Sequence, residues 1–136
     1  MLKVNTSLTE LNLSSNEIGR HYDNGWKKTP EGPAALAEGL AANSSVTVVH
    51  ASGNNFGPEG GKAFAEALES NTHLAELVLG SKDKPASIPL KELRDNAIDS
   101  LDYSGKKLLV EGGIVLAFAL TKNSSVTNVS EQHAAL

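Results

Sequence analysis

The stretch Asn43–Ser70, NSSVTVVHASGNNFGPEGGKAFAEALES, constrains this chain more than any other, because it returns, whole or damaged, four more times. Val46, Val49 and Ala51 lead into Asn54 and Phe56, then into the turn Gly57-Pro58-Glu59-Gly60, then into Ala63, Phe64, Ala67 and Leu68. β-Branched residues alternating with period two predict a strand. Apolar residues at i, i+1, i+4 and i+5 predict a helix after it. Pro58 suits the first helical turn, where its missing N–H costs nothing, and Glu59 complements the positive end of the helix dipole. Asn71 is expected to end the helix in a left-handed position. Neither half can bury its apolar face alone, so neighbouring copies must cover it.

The first inward strand residues of the copies are Leu8, Val46, Leu74, Ile98 and Val126, at spacings of 38, 28, 24 and 28. A unit of 28 is the norm, so copy one is ten residues too long and copy three is four too short. In copy one, strand one is expected over Ser7–Leu13 and helix one over about Glu31–Ala42; between them stands the inserted decapeptide Arg20–Thr29, RHYDNGWKKT. Copy three begins with Leu74, Leu77 and Leu79 but then loses its helix pattern over Ser81–Asp95, where Pro85 and Pro89 interrupt any helix start. An irregular convex segment anchored by Ile88, Leu90 and Leu93 is expected there, with no more than a turn or so at Leu90–Arg94. Copy four restores the pattern, with a helix opening at Glu111-Gly112-Gly113, and copy five keeps only a strand, Val126–Val129, and the tail SEQHAAL. Gly32, Gly60 and Gly112 share one position at the helix start, where each is expected to permit a close approach or a tight turn.

Leu8, Leu11, Leu13 and Asn16, in the pattern L-x-x-L-x-L-x-x-N, resemble a leucine-rich repeat. The long unit with Pro-Glu-Gly at its helix start and Asn at its helix end is similar to the ribonuclease-inhibitor-like subclass, also found in NOD-like receptors. The resemblance implies an α/β fold, a right-handed αβ solenoid of about five repeats with a parallel concave sheet and convex helices. Residues 1–136 are then expected to form a single leucine-rich repeat domain, a fragment or a short solenoid, with an inserted loop at 20–29 and an irregular repeat at 81–95.

Composition narrows the function classes. At 136 residues and 40% hydrophobic the chain can bury one continuous core, and 4% aromatic content makes that core aliphatic. A net charge of −4 argues against a nucleic-acid footprint. The absence of cysteine removes disulfide, thiol and thiolate–metal chemistry. No apolar run of secretory or membrane-spanning length is present, so no membrane association is expected and the expected location is intracellular, in the cytoplasm. N-x-S/T sequons stand at Asn5, Asn12, Asn43, Asn123 and Asn128, but Asn5, Asn43 and Asn123 fall in the helix-ending slot of the repeat, which favours a structural role over glycosylation.

Outward strand positions form two rows: Glu10, Val48, Glu76, Ser100 and Asn128, then Asn12, His50, Val78, Asp102 and Ser130. Macromolecular partners of such proteins usually lie on this face, which makes Glu10, Asn12, His50, Glu76 and Asp102 candidate partner-binding residues. A solvated face is the alternative. A hydrolase using His50 and Asp102, with Ser52 or Ser104 as nucleophile, is disfavoured because copy three intervenes and a base must touch its orienting acid. His21, His73 and His133 are scattered, phosphate-binding loops are absent, and no cofactor or metal is expected. The decapeptide is the sharper candidate. It holds the sole tryptophan, Trp26, with Tyr22, Arg20, Lys27 and Lys28, residue types concentrated at interface hot spots. Asp23-Asn24-Gly25 supplies a turn that would project them, although Tyr22 and Trp26 folding back to plug the solenoid is the competing arrangement. The leading expectation is a non-enzymatic protein-interaction module using the concave face and the 20–29 loop. The alternative is a structural subunit packed end to end in a larger assembly. The apolar, uncapped ends also predict self-association or docking to a partner subunit.

Overall fold

The computed structural model describes residues 2–131; Met1, and the tail from Gln132 with His133, lie outside the described residues. In chain order the elements are β1 (Glu10–Asn12), β2 (Arg20–Tyr22), β3 (Trp26–Lys28), α1 (Glu31–Ala42), β4 (Val48–His50), α2 (Gly57–Ser70), β5 (Glu76–Gly80), β6 (Pro85–Ile88), α3 (Leu90–Arg94), β7 (Ser100–Asp102), α4 (Leu109–Thr121) and β8 (Asn128–Ser130). The strand-then-helix rhythm of the repeat is therefore present, with full helices in copies one, two and four and only a five-residue turn of helix in copy three.

β1, β4 and β5 pair in parallel and in the register that aligns the repeats: Glu10 opposite Val48 opposite Glu76, and Leu11 opposite Val49 opposite Leu77. Side chains alternate across this ladder as the period of two requires. Val49, Leu77 and Leu79 are fully buried beneath it, joined by Val46, Leu74, Phe64 and Leu40. The helices lie side by side over that core, α1 on α2 and α2 directly on α4, because copy three supplies no full helix to separate them. Gly61 makes the last contact close: a Cβ there would stand 2.9 Å from the Cα of Glu111.

A single parallel sheet of five strands does not form. β6 folds back antiparallel onto β5, Leu77 opposite Ile88 and Gly80 opposite Pro85, while β7 and β8 make a separate parallel pair. The reason lies in the shortened repeat. Pro85 and Pro89 forbid a helix, whereas Ala86 and Ile88, both fully buried and two residues apart, satisfy a strand. Gly80, at φ +92°, begins the reversal, and the Ser81 hydroxyl accepts the amides of Asp83 and Lys84 within the turn. β6 thus takes the ladder position that the strand of copy four would have occupied. So 81–95 is not the irregular convex segment expected, although Ile88, Leu90 and Leu93 do anchor it in the core.

A second correction concerns the helix-ending asparagines. Asn43 and Asn71 are extended, at φ −89° and −88°, and not left-handed. They act through their side chains. Asn71 Oδ1 accepts the amides of His73 and Leu74, both at 2.8 Å, while its Nδ2 donates to the Leu40 and Asn43 carbonyls of the preceding copy. Asn43 repeats the pattern with Ser45, Val46, Leu2 and Asn5, so each asparagine ends its own turn and ties it to the previous one. The shared helix-start glycines close against a preceding residue: a Cβ on Gly32 would meet the Ile18 carbonyl oxygen at 2.4 Å, and one on Gly60 the Phe56 Cβ at 2.6 Å.

Candidate functional site

The outer face of the sheet holds four of the five sheet residues singled out above in the β1–β4–β5 ladder, and Asp102 apart from them on β7. Glu10 and His50 are neighbours across β1 and β4, with Oε2 and Nε2 2.9 Å apart. Asn12 Oδ1 accepts the amide and hydroxyl of Ser14, and Glu76 accepts the Ser87 hydroxyl at 2.5 Å. Asp102 accepts the Ser104 amide at 2.9 Å, and the Ser104 hydroxyl and amide hold its carboxyl below the usual range. His50 is therefore committed to Glu10 and Asp102 to Ser104. No contact of base with orienting acid forms, and Ser52 is buried. Among the described residues no cluster of His, Cys, Asp and Glu could hold a metal ion.

The inserted decapeptide forms a hairpin. β2 and β3 pair antiparallel with Tyr22 opposite Trp26, and Asn24 and Gly25 take the positive φ values, 53° and 128°, that its tight turn demands. Gly19 anchors its base, donating to the Asn54 carbonyl and accepting the Thr29 amide. Tyr22 and Trp26 meet edge to face with centroids 5.6 Å apart, and the Arg20 guanidinium lies 3.9 Å from the Trp26 ring centre. Arg20 also pairs with Glu17, which lowers the Glu17 pKa and raises that of Arg20. Tyr22 is 70% exposed and Trp26 54%. They do not plug the stack.

Beside the hairpin runs a groove of about 430 Å³ that sequence reasoning missed. Trp26 and Lys28 form one wall, Leu109 and Val110 at the start of α4 the other, and Asn55 and Gly57 lie between. Leu109 is 48% exposed and Val110 51%. Both stand where copy two has Gly57-Pro58, and an alignment of the two helix starts is the signal that would have found them. Leu109 keeps the left-handed backbone of its counterpart, at φ +59° against +68° for Gly57. Beneath it Glu111 is buried, which pushes its pKa up, and its own amide and that of Gly57 partly counter the shift.

Residues 4–20 and 42–65 match the Leucine Rich repeat family model, which supports a leucine-rich repeat protein. No curated protein and no solved structure matches the chain. No helix among the described residues is long and apolar enough to cross a membrane.

Proposed function

We propose that this leucine-rich repeat chain is a non-enzymatic protein-interaction module, of the ribonuclease-inhibitor-like subclass, that binds through the hairpin at 20–29 and the outer face of its sheet. One observation carries the reading: Tyr22 and Trp26 meet edge to face while remaining largely open to solvent, with the half-buried Arg20 guanidinium over the Trp26 ring. Large aromatic surface held rigid before binding loses little entropy when a partner covers it, which is what makes such residues anchors. The leucine-rich repeat family generally mediates protein–protein contacts, and the repeat match supports the same direction. Glu10, Asn12, His50, Glu76 and Asp102 supply the polar surround, with Lys27 and Lys28 on the hairpin itself.

Quantitative cross-linking in lysate, comparing the wild-type chain with Trp26→Ala, tests the proposal. Recovery of a stoichiometric protein that cross-links to 20–29 and weakens about thirtyfold on the substitution is the expected result. A partner retained equally by Trp26→Ala and by a Glu10→Ala, Asp102→Ala double variant would sink it.

A structural subunit packed end to end is the second reading, favoured by Val129, 41% exposed on the outer strand β8. Sedimentation equilibrium separates the two. Assembly lost on Val129→Lys and kept in Trp26→Ala supports the subunit, and a strictly monomeric chain removes it.

A further inference from the structure

β1 and β8 are outer strands of their sheets, and each leaves one ladder edge unpaired among the described residues. The polar groups along the two edges match one another. Copies one, two and five share the pattern Asn-x-Ser-x-Thr just ahead of the strand, as Asn5-Ser7-Thr9, Asn43-Ser45-Thr47 and Asn123-Ser125-Thr127. In copies two and five these side chains donate backward, to carbonyls of an earlier copy. Asn43 Nδ2 reaches the Leu2 and Asn5 carbonyls at 2.7 and 3.1 Å, and the Ser45 hydroxyl reaches the Asn5 carbonyl at 3.2 Å. The Thr47 amide and hydroxyl both reach the Thr9 carbonyl, at 2.8 and 3.2 Å. Copy five donates in the same way to Leu93, Ile98 and Asp99.

In copy one the same donors are set but not used. Asn5 Oδ1 accepts the Ser7 and Leu8 amides, as Asn43 Oδ1 accepts those of Ser45 and Val46. Its Nδ2, the Ser7 and Thr9 hydroxyls and the Thr9 amide meet no acceptor among the described residues. The matching acceptors stand at the other end of the chain. By the repeat, the counterparts of the Leu2, Asn5 and Thr9 carbonyls are those of Leu120, Asn123 and Thr127, and none of the three receives a side-chain donor. Apolar surface follows the same order: Leu2, Leu8 and Leu11 are partly buried at one end, Leu120 and Val126 at the other, where Val129 is 41% exposed.

We propose that a second copy of this chain docks head to tail, the β1 edge of one molecule continuing the β7–β8 ladder of the other in the register of the repeat. Glu10, Leu11 and Asn12 then fall opposite Asn128, Val129 and Ser130, with leucine beside valine on the inner face and no like charges opposed on the outer one. Asn5 Nδ2 donates to the Leu120 and Asn123 carbonyls, and Thr9 to that of Thr127. The contact is heterologous, so every pair keeps one free β1 edge and one free β8 edge, and growth continues unless a ring closes. The inference rests on the end-to-end reading and names its partner and register. It leaves the hairpin open, since Trp26 faces Asn55 and Leu109 of later copies.

The chain has no cysteine, so introduced thiols report the register directly. Glu10→Cys and Asn128→Cys chains, purified separately, mixed and oxidised, are expected to give chiefly the mixed disulfide. Opposed residues on adjacent strands stand about 4.8 Å apart, within disulfide reach. Sedimentation equilibrium of two further variants measures the bonds. Asn5→Asp keeps an oxygen for the Ser7 and Leu8 amides, in a slot where copy four has Asp95, but removes the backward donor. Association is expected to weaken about tenfold. Thr6→Asp adds the same charge one residue away, at a position exposed in copies two and five as Ser44 and Ser124, and is expected to change association by less than about twofold. Thermal melts verify that each variant folds. Disulfides joining like positions as readily as unlike ones, association indifferent to Asn5→Asp, or equal weakening by Thr6→Asp would each overturn the head-to-tail register and leave end-to-end association standing. A chain that sediments only as a monomer would overturn both.

Discussion

The helix starts of copies two and four share a backbone and differ in almost everything placed on it. Phe56-Gly57-Pro58-Glu59-Gly60-Gly61 aligns with Leu108-Leu109-Val110-Glu111-Gly112-Gly113. Gly57 and Leu109 take the same left-handed φ, and Phe56 and Leu108 plug the same inward position. Yet Glu59 is exposed where Glu111 is buried, and Gly61 is buried where Gly113 is open. The copy-two start obeys local rules: glycine where φ is positive, proline in the first turn, acid at the dipole. The copy-four start breaks the first two of them. The repeat therefore specifies the backbone more tightly than the residues placed on it.

The comparison can be broken most strongly at its last position. Gly61→Leu forces a side chain into a site 2.9 Å from Glu111 Cα and should destabilise the fold by about 2–3 kcal/mol in urea unfolding. Next comes the exchange at the left-handed position. Gly57→Leu meets only the Glu59 carboxylate, at an ordinary 3.7 Å, but the wrong φ, and should cost about 1–2 kcal/mol. Leu109→Gly should gain about 0.5–1 kcal/mol, since glycine's greater freedom in the unfolded chain offsets part of the relief. A stability loss on Leu109→Gly would mean the leucine is a core residue. Gly113→Ala, at the exposed counterpart of Gly61 with nothing within 4 Å, should stabilise by about 0.5 kcal/mol. Adding a side chain at this last position is thus costly in copy two and favourable in copy four.

The smallest effect is a slope. Burial raises the Glu111 pKa, so the folded state holds this proton more tightly than the unfolded one. That contribution is complete below the ordinary carboxylate value of 4.5 and is lost as pH rises through the raised folded value. Glu17, Glu38, Asp95 and Asp102 have lowered values and act with the opposite sign, their contributions being lost as pH falls. Unfolding curves of wild type and Glu111→Gln between pH 4 and 7 should therefore diverge, the wild type losing relative stability as pH rises. Glu59→Gln serves as the control from copy two. Parallel curves for wild type and Glu111→Gln would show that the carboxyl is solvated.

Much of this fold is legible from the period alone. A spacing of 28 aligns Val48 with Glu76, the same unit lengthened by the ten-residue insert aligns Glu10 with Val48, and the limits of α1 at Glu31 and Ala42 follow from the apolar stripe. Copy three is where the reading fails. Two prolines argue correctly against a helix, but the period-two pair Ala86 and Ile88 becomes a strand only because the edge of β5 stands open beside it, a tertiary fact. At the candidate site, residue types pointed to Trp26 and Tyr22. The opposing wall was hidden because Leu109 and Val110 continue the apolar run of α4, and only their exposure and the φ of Leu109 set them apart. The helix-ending asparagines were found by position but assigned the wrong conformation, because the carbonyls that accept from their Nδ2 groups belong to the preceding copy.

The antiparallel return of β6 also bears on how the molecule would respond to force. In the sheet β1–β4–β5–β6 each strand is laced to its neighbour by ladder hydrogen bonds, and the lacing resumes between β7 and β8. Between β6 and β7 it is replaced by the Tyr103 hydroxyl on the Ser87 carbonyl at 2.8 Å, and by the backbone of Lys107 held to Ser81 and Lys84. Side-by-side packing of α2 and α4 carries the rest, with Gly61 against Glu111. A load pulling the first and last copies apart would meet a continuous ladder on either side of this seam and a few separate bonds across it. Extension would start there, with copies four and five peeling away as one piece and the first three copies yielding afterwards.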